Sequence, residues 1–129
     1  MIQRFIELGE GYSDLYELIE LTNASQHRVE HLIALHTTIN SRLVSSLVTV
    51  LSPTKEGEFQ PIYICREGIP NPHEIPNKRF QLFEELSKTI QKPITELDVK
   101  PSTIFAEKEL YYQYLIGILR LQRLITPMK

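Results

Sequence analysis

Three of the chain's four histidines fall in one stretch, His27-Arg-Val-Glu-His31-Leu-Ile-Ala-Leu-His36. Imidazoles this close together raise the chemistry of a metal ion. On a helix, His27 and His31 would share a face and could hold an ion with a third ligand, but Arg28 stands where an H-E-x-x-H site has its glutamate. On a strand, residues four apart are separated by roughly 13 Å, at ~3.3 Å per residue, and His36 turns to the other face. The run Thr37-Thr38-Ile39 favours the strand, because a helix restricts the χ1 freedom of β-branched side chains. Residues 28–39 are therefore predicted to be extended, with Val29, His31, Ile33, Leu35, Thr37 and Ile39 on one face. Neither a metal site nor a cofactor is expected from these histidines.

Two other groups of residues could do chemistry. Cys65 is the sole cysteine, which excludes an internal disulfide or a thiolate metal cluster. Arg66, Glu67 and His73 follow it and could be read as partners of a nucleophile, but strand alternation groups Cys65 with Phe59 and Tyr63, as a small buried hydrophobe. The same neighbourhood offers a ligand pocket instead, floored by Tyr63 and edged by Arg66, Glu67 and His73 beside a proline-stiffened loop. The second group, Leu-Gly-Glu-Gly-Tyr-Ser-Asp at 8–14, echoes loops that cradle phosphate. Asp14 replaces the third glycine, and Glu10 and Asp14 put negative charge where the phosphate would sit, which argues against that role.

The elements that must position these residues are legible in outline. Residues 2–8 read as a strand entering a glycine turn, and 14–23 as an amphipathic helix opened by Asp14 with Glu17 three residues on. The 28–39 strand, a short connection at Asn40-Ser41-Arg42, a strand at 45–52 and a strand at 59–67 form an antiparallel meander. Pro70, Pro72 and Pro76 stiffen an extended connection. Asn77 caps a helix over 78–91, residues 93–103 read as a linking segment, and a final helix runs from about 104 to 125. The predicted fold is α+β in the order β-α-β-β-β-α-α: one domain over 1–129, with a four-stranded, mainly antiparallel sheet and about three helices on one face.

Composition narrows the role of such a domain. With 42% hydrophobic and 23% charged residues the chain is of ordinary globular type, and 14 basic against 16 acidic residues give a net charge of −2. That balance offers no general attraction to nucleic acid or anionic lipid, so neither is expected as a partner. The N-terminal sequence lacks a signal-peptide pattern and the most apolar stretch carries Arg120 and Arg123, so a cytoplasmic protein without a membrane span is expected. In the last helix Tyr111 and Leu115 belong to an apolar stripe, while Tyr112, Ile116 and Leu119 add surface beyond it. One sheet face would not bury all of this, so either another helix of the same chain or a second subunit must cover it, and these five residues are predicted to form a homo-oligomer interface.

The opening Ile-Gln-Arg-Phe-Ile-Glu-Leu-Gly-Glu-Gly-Tyr-Ser-Asp-Leu-Tyr-Glu-Leu-Ile-Glu-Leu resembles the start of a small family of uncharacterised bacterial proteins about as long as this chain. The resemblance implies no established activity. A kinase label is rejected, since neither the length nor the H-R-D and D-F-G signatures are present. The expectation is a non-catalytic binding or protein-interaction module that forms a homodimer by its last helix, with a small enzyme or ligand binder using the 63–77 pocket as the alternative.

Overall fold

A computed structural model describes residues 3–9, 12–55 and 59–125. In chain order the elements are β1 (Gln3–Gly9), α1 (Tyr12–Ala24), β2 (Val29–Ile39), β3 (Arg42–Leu51), β4 (Gln60–Pro70), α2 (Lys78–Ile90), β5 (Ile94–Asp98) and α3 (Lys108–Leu121). Single 3-10 turns at Gln26–Arg28 and Ser102–Ile104 lead into β2 and towards α3. The predicted meander is present, and Asn40 and Ser41 make its first turn with φ of 51° and 64°. Two left-handed residues in a row match the twist of the strands they join.

The α+β class stands, but three details of the expected sheet do not. It has five strands in the order β1-β4-β3-β2-β5. The fifth, β5, lies in the segment read as a link, where Ile94 pairs with Leu32 and Asp98 with His36. The sheet is mixed: β2, β3 and β4 are antiparallel neighbours, while β1 on β4 and β5 on β2 are parallel. The helices also occupy both faces. Leu15 and Leu18 of α1 and Phe80, Phe83 and Leu86 of α2 pack with Leu32, Ala34, Leu47 and Cys65 on one side. Tyr111, Leu115 and Leu119 of α3 pack with Ile33, Leu35, Val48, Val50, Ile62 and Ile64 on the other.

This layering accounts for the central strands. Residues 32–37 and 45–51 are buried at every position, so apart from His36 their side chains are apolar or small on both faces rather than alternating with polar ones. Two hydroxyls in that interior pair with one another. Thr22 Oγ1 donates to Leu18 O at 2.7 Å and lies 2.9 Å from Thr49 Oγ1, tying α1 to β3.

α1 begins two residues earlier than Asp14, which therefore sits in its first turn rather than at its cap. Gly9 has φ +122°, and a Cβ there would lie 2.5 Å from Asp14 Oδ2. Glycine is required by the backbone and by the acid above it. The Asp14 carboxylate thus lies over the turn that would have to receive a phosphate; Glu10 and Gly11 lie outside the described residues. Among the described residues no helix is long and apolar enough to cross a membrane.

Candidate functional site

The three histidines of the 27–36 stretch go to three places. His27 is exposed on the turn before β2, His31 lies beside Arg120 and Arg123 on the α3 side, and His36 is buried on the α1/α2 side. The strand reading of 28–39 therefore separates them as its geometry requires, with a register irregularity between Val29 and His31 that returns Val29 to the α1/α2 core. The grouping that does form draws on the fourth histidine.

His36 and Glu96 project from neighbouring strands on the same face. Ala34 is the register partner of Glu96 and has the same orientation as His36, two residues on. Burial at the centre of the sheet fixes His36: its ring lies 6.4 Å from Phe80, nearly parallel to it, and its Nδ1 is 2.6 Å from Oγ of the fully buried Ser45. Its Nε2 is 2.8 Å from Glu96 Oε1. His73 Nε2 reaches the same oxygen at 2.7 Å, edge-on to His36 with ring centres 5.8 Å apart. Each Nε2–H donates to the shared carboxylate oxygen when the imidazoles are neutral, and His36 Nδ1 then accepts from the Ser45 hydroxyl.

The 71–77 loop delivers His73. Buried Asn71 accepts from His73 N at 2.9 Å through its side chain, while its carbonyl accepts from the backbone N–H groups of Glu74 and Ile75. Asn77 donates to Pro70 O and Ile75 O, and its Oδ1 caps α2 by accepting from Phe80 N, all three at 2.9 Å. Prolines restrict the rest of the loop, so His73 is presented with little backbone freedom even though 69% of its side chain is exposed.

Two concavities meet the His36–Glu96–His73 clasp. One, of about 300 Å³, has His73, Asn77, Phe80, Gln81, Glu84 and Glu96 in its walls. The other, of about 460 Å³, includes His36, Asn71 and Asp98. Among the described residues no lysine or arginine lines either one, so their fixed charges are those of Glu84, Glu96 and Asp98. Burial works against the charge on Glu96, but hydrogen bonds from the two histidines, then their charges, outweigh it and hold the carboxyl below its usual range. The site is thus a negative pocket with two imidazoles at its centre.

The rim expected around Tyr63 does not assemble. Tyr63 packs at the edge of the α1/α2 core. Arg66 pairs instead with Glu7 of β1, whose other oxygen is 2.9 Å from Lys108 Nζ. Glu67 accepts from Ser102 N at 2.9 Å and from its hydroxyl. Arg66 turns to the α3 side by alternation with Cys65, and the register irregularity of β4 opposite Ser45–Leu47 brings the next residue, Glu67, towards Tyr111 on that side as well, across the sheet from His73. Cys65 is fully buried in the α1/α2 core, as expected for a small hydrophobe.

The residues assigned to an oligomer interface are occupied within the protomer. Tyr111, Leu115 and Leu119 are fully buried, and Tyr112 stacks on Phe5 of β1 at 4.9 Å between ring centres. Ile116 also packs at the edge of this core. The broad apolar surface of α3 follows from its covering a five-stranded sheet face, which a four-stranded sheet with every helix on one side would not have needed.

A larger hollow of about 600 Å³ lies beside Glu30, His31, Arg120 and Arg123. Its polar groups are largely tied together: Arg120 donates to Gln3 Oε1 at 2.6 Å, and Gln60 donates to Glu30. It lacks the convergence on one point that marks the histidine clasp.

Sequence reasoning placed His73 on a stiff loop and His36 on a strand but did not join them, and Glu96 fell in the segment read as a link. The alternation Ile94, Glu96, Asp98 against Thr95, Leu97, Val99 was the available signal for β5. A family model described as a domain of unknown function, DUF7147, matches residues 1–125. No curated protein and no solved structure matches the chain.

Proposed function

The chain belongs to the DUF7147 family, whose description assigns no activity, and we propose from the site itself that it is a non-catalytic binding module that takes a small polar ligand at the His36–Glu96–His73 clasp. The observation that carries this reading is the convergence of two imidazoles on one carboxylate oxygen, with His73 and Glu96 in the wall of one hollow and His36 in the wall of another. His36, 7% exposed, spends a core position on a polar ring, and Ser45 spends another to orient it. Burying such groups costs stability unless they are paired, so their placement fits a recognition site better than a packing solution.

The rival enzyme reading has less support. Cys65 is sealed in the core, and Arg66 and Glu67 are engaged with Glu7 and Ser102 away from the clasp. The binding reading needs no second subunit, because the clasp is complete within one chain.

Thermal-shift screening of the whole chain against small carboxylates, phosphates, amines and divalent cations tests the reading, with Glu96→Gln screened in parallel. At least one compound class should raise the Tm of the natural chain and leave the variant's Tm unchanged. Equal shifts in both proteins, or none in either, would overturn it.

A further inference from the structure

We infer that the ligand of the clasp is a divalent transition-metal ion of the zinc class, held by His36 Nε2, His73 Nε2 and a Glu96 carboxylate oxygen. This deepens the binding reading above and rests on it. The donor atoms of the three residues all lie within 4.8 Å of one another. Two imidazoles and one carboxylate are a mixed N/O set that suits zinc and neighbouring metals, whereas magnesium and calcium favour oxygen.

The surroundings fit a cation on two further counts. The two hollows beside it carry Glu84 and Asp98 and no lysine or arginine among the described residues, so a positive ion gains from their field and an anion loses. Behind the site, Ser45 Oγ sits 2.6 Å from His36 Nδ1. A metal on Nε2 requires the proton on Nδ1, and the serine oxygen is placed to accept it, the outer partner that a ligating histidine needs to hold its tautomer and direction.

The metal-free spacing is short for coordination. The two Nε2···Oε1 distances are 2.8 and 2.7 Å, whereas bonds of 2.0–2.1 Å in a tetrahedron set ligand atoms about 3.3 Å apart. Opening by roughly half an ångström falls to His73 and Glu96, which are exposed over 69% and 41% of their side chains, while buried His36 stays fixed. Binding displaces the two Nε2–H protons: His36 passes to its Nδ1–H tautomer with Ser45 as acceptor, and exposed His73 exchanges its proton with water. Three protein ligands leave at least one position open towards the hollows, for water or a small anion.

The test is calorimetric titration of zinc into the full, tag-free chain, alongside His73→Gln and Glu96→Gln, whose exposed positions spare the core. The natural chain should take one zinc per molecule, and each substitution should weaken binding by on the order of 100-fold or more, beyond the 10–100-fold typical of an outer partner. Ser45→Ala should weaken it within that 10–100-fold range, with circular dichroism unchanged. Zinc binding of undiminished affinity in His73→Gln or Glu96→Gln would overturn the assignment. If the natural chain takes no zinc but another compound still gives a Glu96-dependent thermal shift, the metal inference fails and the binding-module reading survives. If neither occurs, both fail.

Discussion

Replacing Leu115 with alanine should cost the fold about 3–4 kcal/mol. Leu115 is fully buried on α3, beneath which lie strand residues such as Ile33, Val48 and Ile62. The substitution removes three carbons, worth roughly 2.4 kcal/mol at ~0.8 kcal/mol each. A cavity penalty of about 1 kcal/mol adds to this, because strand residues held by hydrogen bonds on both sides relax poorly into the space. Urea unfolding followed by far-ultraviolet circular dichroism reads the loss as a fall in midpoint of roughly 2 M, for a slope of ~1.5 kcal/mol/M. Leu121, 80% exposed at the end of the same helix, supplies the control: its alanine variant should stay within ~0.5 kcal/mol of the natural chain. Both midpoints should be independent of protein concentration. A loss below about 1 kcal/mol at Leu115 would refute the conclusion that the Leu115 face of α3 is packed on the sheet of its own chain.

Other expectations follow from particular contacts. Burial opposes the charge on Glu7, yet the hydrogen bond from Lys108 and the charges of Arg66 and Lys108 lower its pKa below the ordinary 4.5. Its contribution to stability is therefore complete above about pH 4.5 and is lost as pH falls through the folded value, so Glu7→Gln should flatten the acid limb of a stability–pH curve measured by urea titration. Asn77→Ala removes the cap on α2 and the two bonds that shape the 71–77 loop, and should cost about 1–2 kcal/mol in denaturant while weakening ligand capture at His73. Gly9→Ala forces a Cβ against Asp14 at a φ of +122° and should cost about 2–3 kcal/mol; a thermal midpoint equal to the natural chain's would contradict this geometry at Gly9.

The extended nature of 28–39 was legible because three β-branched residues at its end and an apolar face at period two agree with one another. The Asn77 cap and the helix it opens were legible for a similar reason, since a strong local signal coincided with clear periodicity. The position of α3 was not. Which face a helix covers depends on how the chain crosses the sheet, and the clue lay in the uninterrupted apolar runs of β2 and β3, which call for cover on both sides. β5 was obscured by its length of five residues and its edge position, where Glu96 and Asp98 replace the apolar residues of an inner strand. The clasp depended on that strand. His36 and His73 are 37 positions apart in sequence, and their meeting required Glu96 to be on a strand beside His36.

X-ray absorption spectroscopy on the zinc-loaded chain tests the central claim most directly. The account predicts nitrogen and oxygen neighbours at about 2.0–2.1 Å with the outer-shell scattering of two imidazoles and no sulfur at ~2.3 Å. A shell of oxygen alone, or any sulfur neighbour, would contradict it.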